Sequence, residues 1–320
     1  MYDSPTYESE KKNELSLEDC IKVLDDFEKT NKKLGSKPAI NFSGGDPLVR
    51  SDFFKLLEEC KKRKIPVQII GNPYLINDQM AEKLAKVKIV NYQISIDGLK
   101  KIHDELRQKG SFDESMRALK VLKKHKVRTG VLFTLSKKNA KDLIPLIKKL
   151  NNKTDGFDFS RLVPIGSGAS MKDQMFTPQE YKKFLLKVFD LYRKIGKKSK
   201  TYFGTKDDLW TLLFFEKGIL KPKANEKLVR EGCGMGIRHI TILSDGTVVP
   251  CRRMPIKIGK VPEENFYDIF LNSKELNKIR QIEKMEKCGK CELLMYCRGC
   301  PAIAYAMKGN YFAADPQCWK

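Results

Sequence analysis

Short apolar runs alternate with longer stretches in which apolar residues recur every three or four positions, and this pattern fills the first two hundred residues. Runs of four to eight residues between turn signals predict buried strands, and the longer period predicts helices packed on them. The expected order opens with a helix from residue 17 that carries Leu17, Ile21, Leu24 and Phe27 on one face. A strand at 39–42, a helix at 52–62, a strand at 67–70 and a helix at 78–85 follow. Then come a strand at 89–96, a helix at 112–124, a strand at 127–135, a helix at 140–150 and a strand at 157–163. Ser16 and Asp19 predict the first helix's cap, and Gly35 with Pro38 its stop. Strict alternation predicts a parallel sheet wrapped by helices. The expected fold class is α/β, a partial (β/α)6 TIM-like barrel whose chemistry sits at the carboxyl ends of the strands.

That order begins on a helix, although a helix packed on a parallel sheet normally follows a strand. Residues 1–14 hold no apolar run that could supply the first strand, so strand 39–42 is expected at an unpaired edge and the sequence is expected to begin inside a domain. Past Ser170 a long helix is predicted at 178–195, started by Thr177 and Glu180 as a capping box with Pro178 at its first position. A lysine-rich connector and an apolar stretch at 209–215 lead to Cys233. The expected organisation is a partial barrel at 1–170, a helical connector at 171–230 and a cysteine-rich domain at 231–320, held by metal more than by core.

With 320 residues and 41% apolar side chains the chain can bury a substantial core. No apolar run approaches the roughly 20 residues that span a bilayer, and the amino terminus lacks the apolar segment of a secretory signal. A cytoplasmic location with reduced thiols and no membrane partner is expected. The formal charge of +22 would suit nucleic acid. The cations, however, are 49 Lys against 13 Arg, spread along nearly every helix. Solvation of helix faces accounts for them, with attraction of an acidic peptide or protein as the alternative, and no nucleic-acid partner is expected.

Seven of the nine cysteines fall in the last 88 residues: Cys233, Cys251 five residues after Gly246, then Cys288, Cys291, Cys297, Cys300 and Cys318. Thiols at such short intervals are either bridged or deprotonated onto soft metals, and without signs of export the metal reading is preferred. CxxC spacing suits structural zinc as well as iron-sulfur clusters. Cys20 and Cys60 fall near the apolar stripes of helices and are expected in the core. His125 and His239 are expected to be structural or solvent-facing. At the predicted strand ends stand residues 43–48, 71–74, 93–98 and 161–166. There Gly44 and Gly45 let a backbone approach a ligand closely, and Asp46 and Pro47 fix a turn. Each alone is an ordinary strand-to-helix turn.

Taken together, these motifs and the cysteine array resemble the radical S-adenosylmethionine enzymes that carry a SPASM domain, over residues 1 to 320. Gly44, Gly45, Asp46 and Pro47 look like that family's GGEP element, which meets the methionine end of the cofactor. Residues 93–98, followed by His103, Asp104, Arg107 and 110–113, resemble its SIDG and HDxxRG stretch, which implies Ser95, Asp97 and Arg107 at the cofactor. Val163 and Pro164 fall in the segment that resembles the one beside the adenine.

The resemblance further implies two auxiliary [4Fe-4S] clusters, one on Cys288, Cys291, Cys297 and Cys318, the other on Cys233, Cys251 and Cys300. The second lacks a fourth cysteine, which leaves either an open iron for a substrate thiolate or an unrecognised ligand. Two residues separate Cys297 from Cys300 where the family usually has three. The family's CxxxCxxC element does not occur in the sequence. That loop and the missing first strand are one observation, and S-adenosylmethionine binding is expected to be weak or absent without it. The expectation is a fragment of a longer enzyme, with a degenerate protein as the alternative.

The implied function is maturation of a ribosomally made peptide or a protein. A 5′-deoxyadenosyl radical would abstract hydrogen, with a thioether crosslink or formylglycine as product and flavodoxin or ferredoxin as electron donor. A non-catalytic iron-sulfur electron carrier or scaffold and a zinc-held binding module are the alternatives.

Overall fold

The computed structural model describes residues 13–320 and divides into two compact units. Among the described residues the first comprises Ser16–Arg161 and Leu191–Gly204, and the second comprises 13–15, Leu162–Asp190 and Thr205–Lys320.

In the first unit α1 (Leu17–Lys33) leads to β1 (Ile40–Phe42), α2 (Phe53–Lys62), β2 (Val67–Ile70), α3 (Asp78–Val87) and β3 (Asn91–Ser95). These are followed by α4 (Lys100–Leu106), α5 (Ser111–Lys124), β4 (Thr129–Leu135), α6 (Ala140–Leu150) and β5 (Gly156–Arg161), with β6 (Tyr202–Phe203) last. All six strands are parallel, in the order β1-β2-β3-β4-β5-β6, as a partial TIM-like barrel requires. Among the described residues β1 pairs only with β2. Ser16 Oγ accepts the Asp19 N–H at 3.0 Å and starts α1 as expected.

The register gives the sheet two different faces. Ile69, Tyr92, Ile94, Val131, Phe133, Phe157 and Phe159 alternate onto one face and are at most 2% exposed. Full burial of each contributes about 1.5–3 kcal/mol. The opposite face carries Asn41, Gln68, Asn91, Gln93, Ser95, Thr134, Asp158 and Ser160, which are register neighbours across five strands. Strands buried on both sides would read as continuous apolar runs. A polar row on the face that a barrel turns inward suits a polar ligand better than a packed core.

The sequence pattern missed α4 and β6. The seven residues of α4 hold one buried side chain, His103, so no apolar stripe marks them. The two residues of β6 are half-buried or exposed.

The second unit opens with 3-10 turns over Gly166–Gln174 and α7 (Pro178–Ile195), whose last turn belongs to the first unit. Thr177 and Glu180 cap it reciprocally, Thr177 N–H to Glu180 Oε2 at 2.8 Å and Glu180 N–H to Thr177 Oγ1 at 3.3 Å. After α8 (Leu209–Glu216) come three short antiparallel strands, β7 (Thr241–Ile242), β8 (Thr247–Val249) and β9 (Gly259–Lys260). Then follow α9 (Phe266–Asn272), α10 (Lys274–Ile279), α11 (Glu286–Gly289) and α12 (Pro301–Lys308). Its core gathers Val163, Met235, Met254, Ile279, Ala302, Ile303 and Tyr311. No helix among the described residues is long and apolar enough to cross a membrane.

Candidate functional site

In the first unit the loops after β1 and β2 are tied together by hydrogen bonds. Gly44 has φ +142°, a conformation L side chains rarely adopt, and a Cβ at Gly44 or Gly45 would meet nothing within 4 Å. The backbone there faces open space, as close approach by a ligand requires. Asp46 accepts the Leu48 N–H through Oδ1 at 3.1 Å and the Asn72 N–H through Oδ2 at 3.2 Å. Its carboxylate thereby ties the loop after β1 to the loop after β2, and Asn72 Nδ2 donates back to the Gly45 carbonyl at 3.3 Å. Burial pushes the Asp46 carboxyl above the usual range, opposed by those two amide donors. Pro47 opens a 3-10 turn that Asp46 caps.

At the end of β3, Asp97 organises the next loop. Oδ1 accepts the Thr134 N–H at 2.7 Å, and Oδ2 accepts from Arg107 Nε at 2.8 Å and lies 2.7 Å from Arg107 Nη2. Such a charge-assisted pair, made through one carboxylate oxygen while the other holds Thr134, fixes both side chains. The Asp97 N–H donates to His103 Nδ1 at 3.0 Å. His103 is fully buried against Phe112, its Nε2 has no hydrogen-bond partner, and burial pushes its pKa down to about 4. Asp104 accepts the Gly110 and Phe112 N–H groups, each at 2.8 Å, and holds the turn into α5. Ser95 is half-buried at the strand end. The structure therefore brings Asp97, His103 and Arg107 into one cluster, and Gly44, Gly45, Asp46 and Pro47 into another.

In the second unit all seven cysteines are free thiols. They fall into two groups. Cys233, Cys251 and Cys300 pack against the same apolar core, and Cys233 and Cys251 interact electrostatically. Cys288 feels Cys318 and Cys291, and Cys297 feels Cys318 and Cys288. Among the described residues no three His, Cys, Asp or Glu side chains already stand in metal-ligating geometry. Burial pushes the Cys233 thiol up to about 12 and Cys288 up to about 11, and raises Cys297 and Cys318, so these four hold their protons. A soft cation entering either group would displace those protons. An all-thiol set of four plus three fits iron-sulfur ligation in donor chemistry.

Local geometry explains the spacing. Gly246 turns the β7–β8 hairpin at φ +86°, where a Cβ would come 2.0 Å from the Val261 carbonyl oxygen, and Cys251 lies just past the end of β8. The Arg253 N–H points at Cys251 Sγ at 3.5 Å. Gly299 has φ +58° and a Cβ there would crowd the Asp315 side chain at 2.5 Å, so only glycine fits the short link between Cys297 and Cys300. Asp315, 4% exposed, accepts the Cys300 N–H at 2.8 Å and the Gln317 N–H at 2.9 Å, while its carbonyl accepts the Cys318 N–H at 3.0 Å. It joins a member of one group to a member of the other.

Sequence reasoning overlooked Asp315, for which no local signal exists, and Arg298, whose place between two cysteines was a signal. The structure buries Val163 in the core of this unit, with Pro164 also buried. Cys60 is fully buried, with its pKa pushed up to about 11, whereas Cys20 is half-buried. His239 is exposed and His125 bonds Asp78 at 2.7 Å, a partner the sequence did not reveal.

A partial barrel with a glycine-lined rim, joined in the chain to a unit of seven clustered free thiols, defines a cofactor-binding barrel protein with a metal-binding extension. Residues 4–150 match the radical SAM superfamily, and residues 233–301 match the iron-sulfur cluster-binding domain known as SPASM. The cysteine-type anaerobic sulfatase-maturating enzyme of Clostridium novyi is 32% identical over 286 residues, covering 81% of this chain and 72% of that protein. An AdoMet-dependent heme synthase of Oleidesulfovibrio alaskensis is 28% identical over 325 residues, covering 95% of this chain and 79% of that protein. Streptococcus suis SuiB matches with a TM-score of 0.73 at 20% identity over 92% of this chain and 71% of that one, a likeness of fold. The chain belongs to the radical SAM superfamily and carries a SPASM domain.

Proposed function

We propose that this chain is the barrel and auxiliary-cluster portion of a peptide or protein maturase. The observation that carries the reading is the clustering of the seven cysteines, Cys233, Cys251 and Cys300 packed on one apolar core and Cys288, Cys291, Cys297 and Cys318 within electrostatic reach of one another. Cys288, Cys291, Cys297 and Cys318 would hold one auxiliary iron-sulfur cluster, and Cys233, Cys251 and Cys300 the other. With three thiols the second keeps a position for a substrate thiolate or a further ligand.

S-adenosylmethionine, when bound and reductively cleaved, supplies a carbon radical that abstracts hydrogen. The chain's own residues do the positioning. Gly44 and Gly45 leave backbone accessible to the methionine end, and Asp46 holds the two adjoining loops together. Asp97 fixes Arg107 at the rim, and Ser95 ends the polar row that leads to it.

The sulfatase-maturating relative supports a peptide or protein substrate, and SuiB has been seen bound to its precursor peptide SuiA. An electron donor such as flavodoxin or ferredoxin would serve the clusters. A tetrapyrrole substrate is the second reading, favoured by the heme synthase likeness over 95% of the chain.

Cleavage of S-adenosylmethionine needs a CxxxCxxC cluster that the nine cysteines do not provide. The test is to isolate the protein from its own cells, map its amino-terminal peptide, and assay that form and this chain for 5′-deoxyadenosine under reduction. The expected result is product from a form bearing CxxxCxxC, coupled to a mass change in a peptide, and none from the 320 residues alone. Coupling to a tetrapyrrole instead would establish the second reading. Full cluster loading without product in the form bearing CxxxCxxC would overturn both.

A further inference from the structure

Arg298 is 2% exposed, and among the described residues it makes no ion pair. Its donors go to three backbone carbonyls: Nη1 to Leu294 at 2.9 Å, Nη2 to Glu231 at 3.0 Å and to Cys233 at 2.7 Å. Carbonyl dipoles satisfy its hydrogen bonds but leave a full positive charge in a nonpolar interior, where an unpaired ion costs several kcal/mol. Among the described residues no carboxylate touches it, and a small cavity holding Cys233 and Arg298 is otherwise lined by Met235, Ile279, Met285 and other apolar or aromatic side chains. The Asp208 carboxylate acts on the guanidinium only through space.

The sequence neighbour of Arg298 is Cys297, and its hydrogen bond to the Cys233 carbonyl brings it to a member of the other thiol group. The two loops also meet through Gly232, where a Cβ would lie 3.0 Å from the Tyr296 carbonyl oxygen and 3.4 Å from Arg298 Nη2. A second arginine braces the same loop from outside: Arg238, which is exposed, donates to the Arg230 carbonyl at 3.4 Å and the Gly232 carbonyl at 2.8 Å. Four successive carbonyls, from Arg230 to Cys233, thus accept from two guanidiniums, one buried and one in water.

We propose that Arg298 is a positioning residue whose buried charge is the counter-charge of the metal site that Cys233 serves, and that it raises that site's reduction potential. This rests on the iron-sulfur reading of the thiol groups. A fixed cation beside a thiolate-bound cluster stabilises the reduced state, which carries one more negative charge, and net charge is one of the quantities that sets cluster potentials. Arg238 makes similar carbonyl bonds but is screened by solvent, so its charge should have little effect.

The test is a spectroscopically monitored redox titration of the reconstituted chain, with iron and sulfide content measured on every sample, comparing wild type, R298K, R298Q and R238Q. R298Q should favour the oxidised cluster about tenfold, a negative displacement of about 59 mV for a one-electron couple. R298K and R238Q should stay close to wild type. R298Q that fails to take up iron while R298K succeeds would also support the proposal, because the charge would then be needed to gather the thiolates.

Fully loaded R298Q at the wild-type potential would overturn it. So would equal displacement in R298Q and R298K, or failure of both to load, since packing would then explain the residue. If wild type itself takes up no iron and sulfide, the underlying cluster reading fails instead.

Discussion

Replacing Gly246 by alanine should disrupt one thiol group and spare the other. At φ +86° any side chain is strained, at about 1–3 kcal/mol. The new Cβ would also stand 2.0 Å from the Val261 carbonyl oxygen and 3.1 Å from Leu15 Cδ2. A backbone atom cannot rotate away as a side chain can. Relief therefore needs a shift of the β7–β8 hairpin, which stretches the 2.9 Å bond from the Val261 N–H to the Gly246 carbonyl. Overpacking of this kind costs about 1–3 kcal/mol, so together with the strained φ the G246A variant should lose roughly 2–6 kcal/mol. Gly309 is the control, since it has φ +67° and nothing within 4 Å of a Cβ, and G309A should lose only the conformational part, about 1–2 kcal/mol. Urea unfolding of both variants measures the difference, and metal analysis measures its consequence. Because Cys251 lies just past β8, G246A should lose metal from the Cys233, Cys251 and Cys300 group and keep it at the other. Equal stability of G246A and G309A, or full metal in both groups of G246A, would refute the reasoning.

Asp97→Asn keeps an acceptor for Thr134 but weakens the charge-assisted pair with Arg107, and thermal unfolding should register a loss of about 1–3 kcal/mol. Asp315→Ala leaves the Cys300 and Gln317 N–H groups buried without their acceptor, at about 2–4 kcal/mol, and metal uptake should fall in both thiol groups rather than one. His103 gives a pH signature. Its folded pKa of about 4 lies below the unfolded value of 6.5, so protons favour the unfolded chain. Stability should be whole above about pH 6.5 and fall as pH drops from 6.5 toward 4, by roughly 3 kcal/mol in total. H103N, whose amide oxygen can still accept the Asp97 N–H, should flatten that limb of a pH series of urea midpoints.

The barrel was legible because each helix and strand pays for its place with a periodic apolar face. β2 and α6 fall where the pattern put them, and β3, β4 and β5 differ only at their ends. Two-residue β6 and seven-residue α4 carry no such signature, since their positions come from pairing with β5 and from Asp97 bonding His103. The tight turns beside the cysteines were legible in spacing, because they need glycine where Gly246 and Gly299 stand. What spacing could not reveal is the tertiary brace: Asp315 reaching Cys300 from fifteen residues away, and Arg298 reaching Glu231 and Cys233 from more than sixty. The polar row across five strands was equally hidden, because single polar residues such as Gln68 and Gln93 look like interruptions until the register aligns them.

Iron and acid-labile sulfide in the anaerobically purified chain, measured alongside the Cys288→Ser and Cys251→Ser variants, test the central claim most directly. Two auxiliary clusters predict iron and sulfide in equal amounts, about four of each per cluster. Each substitution should remove the metal of its own group and spare the other. Zinc without sulfide, or either cysteine substitution emptying both groups, would contradict the account.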